Sequence, residues 1–558
     1  MEIWETHFRN ILNKKMLTNK PDRNPEETLQ ETAAWTPLST EEVQSVIHNS
    51  KNKKSAGPDR RYNEYIKDTA QIITPVWTKL YNKCLETSSI PEQWRRSTIK
   101  VMYKGSGDHN DPDKDRGIAI ENTPIKIFTR IITNNIMEII DEQLPENQFG
   151  FRKGKSTLIA IESLLKNIWD ALDEREKFYV VFIDFTKAFD YIDRELIQEK
   201  LEETLGINNV WTKTAKSILR WNEVNVSDNR STSEPILQTN GVLQGDPLSP
   251  LLFILAAEEI LRLTQREGIN AYAYADDIVV GSKDITKLQE TMDIVEEWCS
   301  KHKFEINVKK TQMMIFRNGG RTPKAAEIFI QNKKLKIVPD YKYLGMTLQT
   351  SARSYSKHIA ERATQAMRAM HDIQKLKSLS IKTAMALFKS KIMPILTYGI
   401  EIIWEKLSMA NLKTIEKVKA TYLKKAIGVS KNTRSRLVYL LARETFLIED
   451  LRMTMTLPRT NASEQLLTIL REKREATPVE FYGTGAMIDR EWTKENFELR
   501  HVLTRLAVHG FHHRICKTTA YHEPEDTCVC SLCENKCERY HIELCTKRTK
   551  SISEYAKL

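Results

Sequence analysis

Residues 178–183 run Phe-Tyr-Val-Val-Phe-Ile and stop at an acid, Asp184. A short apolar run of this composition predicts a strand buried on both faces. A second β-forming stretch, residues 271–281, carries Tyr272, Tyr274, Ile278, Val279 and Val280 around the pair Asp276-Asp277. It predicts two paired strands with the acids in the turn between them. Elsewhere the apolar positions recur at helical steps. Val43, Val46 and Ile47 form a stripe behind a Ser39 or Thr40 cap, and helices are predicted over 193–205 and 251–266. Residues 355–475 read as helical, with Ile359, Ala363, Ala366, Met370 and Ile373 on one face. The first 35 residues are mostly polar and read as a loose leader or linker.

The acids are where this pattern meets chemistry. A turn lets the neighbouring side chains of Asp276 and Asp277 approach one point, which a straight strand forbids. An acid at the end of a buried strand, such as Asp184, is costly to desolvate unless it is paired or metal-bound. An Asp-Asp hairpin tip alone is an ordinary solvated turn. Joined by Asp184, it makes a carboxylate cluster suited to Mg²⁺ or Mn²⁺ and to two-metal phosphoryl transfer.

Composition narrows the partners. The chain has 558 residues, 41% hydrophobic and 28% charged, which allows several domains with their own cores. A net charge of +11 and a pI near 9.0 favour a polyanionic partner. The N-terminal residues carry acids and lack the long apolar core of a secretory signal. No run reaches the roughly 18 apolar residues of a membrane helix. Five of the eight cysteines fall between Cys528 and Cys545, which points to a metal site in a reducing compartment. The set Cys530-x₂-Cys533-x₇-His541-x₃-Cys545 has spacings compatible with tetrahedral zinc, while Cys528 and Cys537 are surplus and could replace one of its members.

Tyr274-Ala-Asp-Asp277 resembles the signature of reverse transcriptases. Asp184-Phe-Thr-Lys-Ala-Phe-Asp190 and Gly241-Val-Leu-Gln-Gly-Asp-Pro-Leu-Ser-Pro-Leu-Leu-Phe253 resemble the two preceding blocks of that family, in order and approximate spacing. Lys51-Asn-Lys-Lys-Ser-Ala-Gly-Pro-Asp59 resembles the block upstream of the fingers in the non-LTR (long-interspersed-element type) retrotransposon polymerases. The resemblance covers about residues 36–350. It implies an α+β right-hand polymerase: fingers with an N-terminal extension over 36–174, an antiparallel-sheet palm over 175–350 and a helical thumb over 351–475. A connector over 476–500 and a small C-terminal zinc element over 501–558 would follow.

The activity implied is RNA-directed DNA synthesis. Partners would be a template RNA, a DNA primer or target and dNTPs, with no membrane and an open oligomeric state. Asp184 and Asp276 would bridge two Mg²⁺ ions with Asp277 in support, and Phe185 would lend a backbone carbonyl. Lys310, or alternatively Lys309, matches the residue that protonates pyrophosphate. Phe189 stands where the family places its sugar-sensing ring. Gln244 can hydrogen-bond the nucleotide or template base, and Gly245 permits close backbone approach. Lys100, Lys104 and Arg116 flank a hairpin that could fold over the triphosphate. Arg116 is followed by Gly-Ile where relatives usually have Pro-Ile.

Phe151 and Arg152, in Gln148-Phe-Gly-Phe-Arg-Lys-Gly-Lys-Ser-Thr157, fall in the family's template-contacting block. Gly150 and Gly154 are too closely spaced there for a phosphate-binding loop. Tyr343, Leu344 and Gly345 resemble the primer grip. The zinc set resembles the Cys-Cys-His-Cys motif that follows the polymerase in these elements. No DNA-nicking endonuclease is expected in this chain. A catalytically silent RNA-binding relic is the alternative, and a maturase-type polymerase would share the palm. The resemblance places the protein inside the cell, in the nucleus or a cytoplasmic ribonucleoprotein.

Overall fold

A computed structural model describes residues 2–13, 35–105, 111–228, 231–319, 326–351 and 353–475. The chain divides into two units, Met1–Pro339 and Asp340–Leu558. That division falls ahead of the 350/351 boundary expected between palm and thumb. The strands of the first unit are β1 (Arg96–Tyr103), β2 (Asp115–Glu121), β3 (Phe178–Ile183), β4 (Asn222–Ser227), β5 (Ile236–Gln238), β6 (Ile269–Tyr274), β7 (Asp277–Ser282), β8 (Gln312–Phe316), β9 (Phe329–Ile330), β10 (Lys333–Lys334) and β11 (Lys336–Ile337). The second unit has β12 (Asp340–Tyr343) and β13 (Met346–Gln349).

The apolar run 178–183 is the middle strand of a five-stranded sheet of order β11-β8-β3-β7-β6. Every pairing in it is antiparallel except β11 with β8. Val180, Val181, Phe182 and Ile183 are buried, as a strand covered on both faces requires. One cover is the helix Ser249–Thr264, apolar all round from Leu251 to Ala257 and led by Ser249-Pro250, with Pro at the start of the helix where its missing N–H is harmless. The helix Arg194–Leu205 starts where Asp193 Oδ1 accepts from Glu195 N at 3.0 Å.

A four-stranded sheet of order β2-β1-β4-β5 stands beside it in the same unit. Strands β1 and β2 are antiparallel, with Lys100 opposite Ile118 and Met102 opposite Arg116. Alternation puts Ile99 and Gly117 on the other face. There the structure departs from the polar leader expected for residues 1–35. Residues Glu2–Leu12 form a helix, α1, whose Phe8, Ile11 and Leu12 are buried against Ile99, Ala119, Val224, Val226, Ile236 and Leu243. Three apolar residues at helical spacing suffice to dock it, each contributing about 1.5–3 kcal/mol by burial.

In the second unit β12 and β13 form a hairpin closed at Tyr343–Met346. The helix Ser356–His371 buries Ile359, Ala363, Ala366 and Met370. The helix Met409–Ile427 carries Lys419, fully buried and ion-paired to Glu444 at 2.9 Å and Asp450 at 2.5 Å. Among the described residues no helix is long and apolar enough to cross a membrane.

Candidate active site

The three acids converge at one end of the five-stranded sheet. Strand β3 pairs with β7 up to Ile183 opposite Ile278, so one step further Asp184 and Asp277 lead out of the same rung. Tyr274 pairs with Asp277 across β6 and β7, which leaves Ala275 and Asp276 as the two-residue turn. The turn therefore sits one residue earlier than the Asp-Asp tip expected from the sequence, and Asp277 opens β7. Ala275 makes this turn with φ +58°, a left-handed conformation that costs an L-residue about 1–2 kcal/mol.

Crowding shows in the carboxyl pKa values, which are all raised. Burial is the main cause for Asp184, partly countered by Lys310. For Asp276 burial comes first, with Asp184 adding to it and Arg116 opposing. Burial, then Asp276, then Asp184 push Asp277 up to about 6. Asp184 Oδ2 is buried without a hydrogen-bond partner, and Lys310 Nζ stands 3.7 Å away. The backbone of Asp184 is pinned: its N–H donates to Thr311 Oγ1 at 3.2 Å and its carbonyl accepts from Asn307 N at 2.8 Å. Among the described residues no three acidic, histidine or cysteine side chains are set as a finished chelate. What the site has is an orphaned carboxylate oxygen and an excess of negative charge, which suits a hard divalent cation.

A residue that sequence reasoning passed over supports the turn. Gln148, 1% exposed, accepts at Oε1 from Gly150 N at 2.9 Å and from Ala275 N at 3.3 Å. Its segment runs alongside β6, with Phe149 N donating to Ala273 O at 2.8 Å and Ala273 N to Asn147 O at 3.0 Å. Gly150 lies so close that a Cβ there would stand 2.4 Å from Ala275 N. The strained turn is thus held from outside. Only the juxtaposition of Gln148 and Gly150 in one block hinted at this.

Of the residues expected to meet the nucleotide, Arg116 and Lys104 reach the acids' surroundings. Arg116 acts on Asp276, and the pKa of Lys104 is lowered by burial and by Lys310, Arg116 and Lys187. Lys100 shares a strand face with Met102, opposite which Arg116 stands. Phe185 is buried edge-on to Phe304, with ring centroids 5.8 Å apart. Phe189 stacks on Phe253 at 4.5 Å, half-buried, so its ring is fixed rather than free to swing aside. Gln244 Nε2 donates to Asp190 Oδ1 at 2.9 Å, and a Cβ on Gly245, at φ +129°, would stand 2.6 Å from Ala119 O. Asp190, a second residue not singled out from the sequence, is pushed up to about 6 by burial while Gln244 and Lys187 hold it down.

The remaining predicted residues separate. Phe151 is 55% exposed beside Tyr274, with ring centroids 6.4 Å apart. Arg152 turns inward: its side chain is 7% exposed, Nε meets Asp141 Oδ1 at 2.7 Å, and Nη1 donates to Pro145 O at 2.7 Å. Its donors bind its own loop, so it does not present a fork to a phosphate. Tyr343, Leu344 and Gly345 lie in the second unit, where Leu344 (φ +44°) and Gly345 (φ +87°) form the β12–β13 turn. Tyr398 Oη donates to Leu344 O at 2.7 Å, and Arg362 donates to Gly345 O while stacking over the Tyr398 ring. Cys530, Cys533, His541 and Cys545 lie outside the described residues.

Residues 104–348 match the family model of reverse transcriptase (RNA-dependent DNA polymerase). The chain is 27% identical over 407 residues to a probable RNA-directed DNA polymerase from transposon BS of Drosophila melanogaster, covering 70% of this chain and 45% of that protein. It is 26% identical over 418 residues to the RNA-directed DNA polymerase from mobile element jockey of the same species, covering 72% and 45%. Against a retrovirus-related Pol polyprotein from type-1 retrotransposable element R2 of Bradysia coprophila it is 26% identical over 343 residues, covering 58% and 38%. The chain thus spans under half the length of these three relatives. Among solved structures, one of a Candida albicans telomerase covers 67% of this chain and 69% of its own at 12% identity, with a TM-score of 0.36. That likeness is too distant to argue from. The three acids lie within the segment that matches reverse transcriptases, in a chain similar to the polymerases of mobile elements.

Proposed function

We propose that this chain is an RNA-directed DNA polymerase of the non-LTR retrotransposon kind, adding dNMPs to a primer 3′-hydroxyl opposite an RNA template. The observation that carries this is the convergence of Asp184, Asp276 and Asp277 at the end of β3 and the β6–β7 turn, inside the matching segment. Asp184, Asp276 and Asp277, with the Phe185 carbonyl, would hold two Mg²⁺ ions, which would supply Lewis acidity to the primer hydroxyl and to the triphosphate.

The chain's own groups do the rest. Gln148 holds the Asp276 turn in place. Lys100, Lys104 and Arg116 attract the triphosphate, and Lys310 donates a proton to the departing pyrophosphate. Phe189, fixed on Phe253, blocks the space of a ribose 2′-hydroxyl. Gln244, its amide oriented by Asp190, meets the nucleotide across Gly245. Exposed Phe151 offers a stacking face to the template. The Leu344–Gly345 turn holds the primer end, and Cys530, Cys533, His541 and Cys545 bind a structural zinc. Work on chromosomal DNA would place the protein in the nucleus.

The test is Mg²⁺-dependent incorporation of dTTP on poly(rA)/oligo(dT), with an Asp276→Ala, Asp277→Ala double variant in parallel. Incorporation that the double variant abolishes supports the reading. A folded, RNA-binding parent inactive with both Mg²⁺ and Mn²⁺ overturns it and leaves the relic.

A further inference from the structure

Helix α1 lies behind the sheet whose front carries Lys100 and Arg116. Phe8 meets Gly117 so closely that a Cβ there would come within 2.6 Å of its ring. The last carbonyls of a helix lack partners within it. Here the loop leading to Gln244 satisfies them: Leu12 O accepts from Thr239 N at 3.0 Å and Asn240 N at 3.4 Å, and Ile11 O accepts from Asn240 Nδ2 at 2.7 Å. The same Asn240 amide donates to Asp190 O at 2.9 Å, and Asp190 Oδ1 accepts from Gln244 Nε2. Gln244 O closes the path by accepting from Ala119 N on β2 at 2.8 Å. Earlier along α1, His7 Nε2 stands 3.4 Å from Lys187 Nζ, which pairs with Asp113 at 2.8 Å beside the β1–β2 loop.

We propose that α1 is a positioning element of the nucleotide site, acting through Asn240 and Asp190 on the amide of Gln244. This rests on the reading of Gln244 as a nucleotide contact. Asn240 serves a carbonyl of α1 and a carbonyl of the Asp190 loop with one NH₂ group. It can do both only while α1 is docked. Undocking frees the loop and lets the Gln244 amide turn away from the nucleotide, which weakens dNTP binding by about the worth of one hydrogen bond.

Steady-state incorporation of dTTP by the full chain tests this, with primer–template affinity and melting temperature measured beside it. Asn240→Ala and Phe8→Ala are expected to raise the KM for dTTP roughly tenfold, the scale of one lost hydrogen bond. kcat and primer–template affinity should stay near the parent. Phe8→Leu keeps an apolar side chain against Ile99 and should bring KM back. Unchanged KM in both variants, where Gln244→Ala raises it, overturns the role of α1 alone. A parallel loss of kcat, KM and primer–template affinity as the melting temperature falls, with no rescue by Phe8→Leu, reduces α1 to a fold stabiliser and also overturns it. If Gln244→Ala leaves KM unchanged, the underlying reading of the pocket fails, and this proposal with it.

Discussion

Asp184 Oδ2 is a buried acceptor with no donor, and Lys310 Nζ at 3.7 Å is beyond hydrogen-bond reach. Such an oxygen is expensive when charged and alone. Asp277 is an exposed residue, but burial of its carboxyl in the turn and the charges of Asp276 and Asp184 push it up to about 6, above the ordinary carboxylate range. For a carboxyl raised on folding, the folded state binds its proton more tightly, so stability falls as pH rises from the unfolded value through about 6. Metal-free Asp277→Asn should therefore melt higher than the parent at pH 7.5, with a smaller gain at pH 5 and none at about pH 3. Polymerisation should rise with pH through about 6 at low Mg²⁺, and saturating Mg²⁺ should move that rise to lower pH, because the ion displaces the proton.

Gln148 belongs to the same scale. Removing its Oε1 leaves Ala275 N and Gly150 N without their acceptor and the turn without its outer support. Gln148→Ala should lower kcat on the order of 10²-fold while changing the KM for dTTP little. A KM effect with normal kcat would contradict that placement. The acids were legible because charge at the end of an apolar run is physically odd. Gln148 was not, since a buried amide looks ordinary until the strand register beside it is known. Arg152 misled because an exposed guanidinium and one folded onto its own loop have the same sequence.

Among elements, strands β3, β6 and β7 were readable from their apolar runs, and the helix expected over 193–205 is found at Arg194–Leu205. The turn register was not, because Ala275-Asp276 and Asp276-Asp277 are both plausible tips and an outside contact selects the first. Helix α1 was hidden because its short apolar stripe, Phe8, Ile11 and Leu12, runs straight into a polar stretch and was read together with it. Another device visible only in the fold is the pair of buried acids Glu121 and Asp246, at the end of β2 and after Gly245. Burial and the Asp246 charge raise Glu121 well above the usual range, and its Oε2 has no partner. By the same sign argument Glu121→Gln should raise the melting temperature, and by more as pH rises above the ordinary carboxylate range, measured by thermal unfolding. In the second unit Gly345 is at φ +87°, and a Cβ there would stand 3.2 Å from the Tyr398 ring. Gly345→Val strains that turn twice over, and a primer KM raised several-fold, with the KM for dTTP unchanged, is the expected result.

For the whole molecule, a net charge of +11 favours a polyanionic partner, and the proposed RNA template is one. Binding that neutralises several phosphates should weaken steeply with salt, by roughly 10³-fold or more between 50 and 200 mM if six or more phosphates are engaged. Charge alone says nothing of catalysis, so the central claim rests on the acids. The most direct test is single-turnover incorporation of one dNTP on an RNA template by Asp184→Asn, Asp276→Asn and Asp277→Asn, each checked for folding and primer–template binding. The geometry predicts that the first two lose roughly 10³-fold or more in rate, as loss of a charge-stabilising group at the reacting phosphate should. Asp277, exposed at the start of β7, should lose less. A folded Asp184→Asn or Asp276→Asn protein that incorporates at the parental rate would contradict the account.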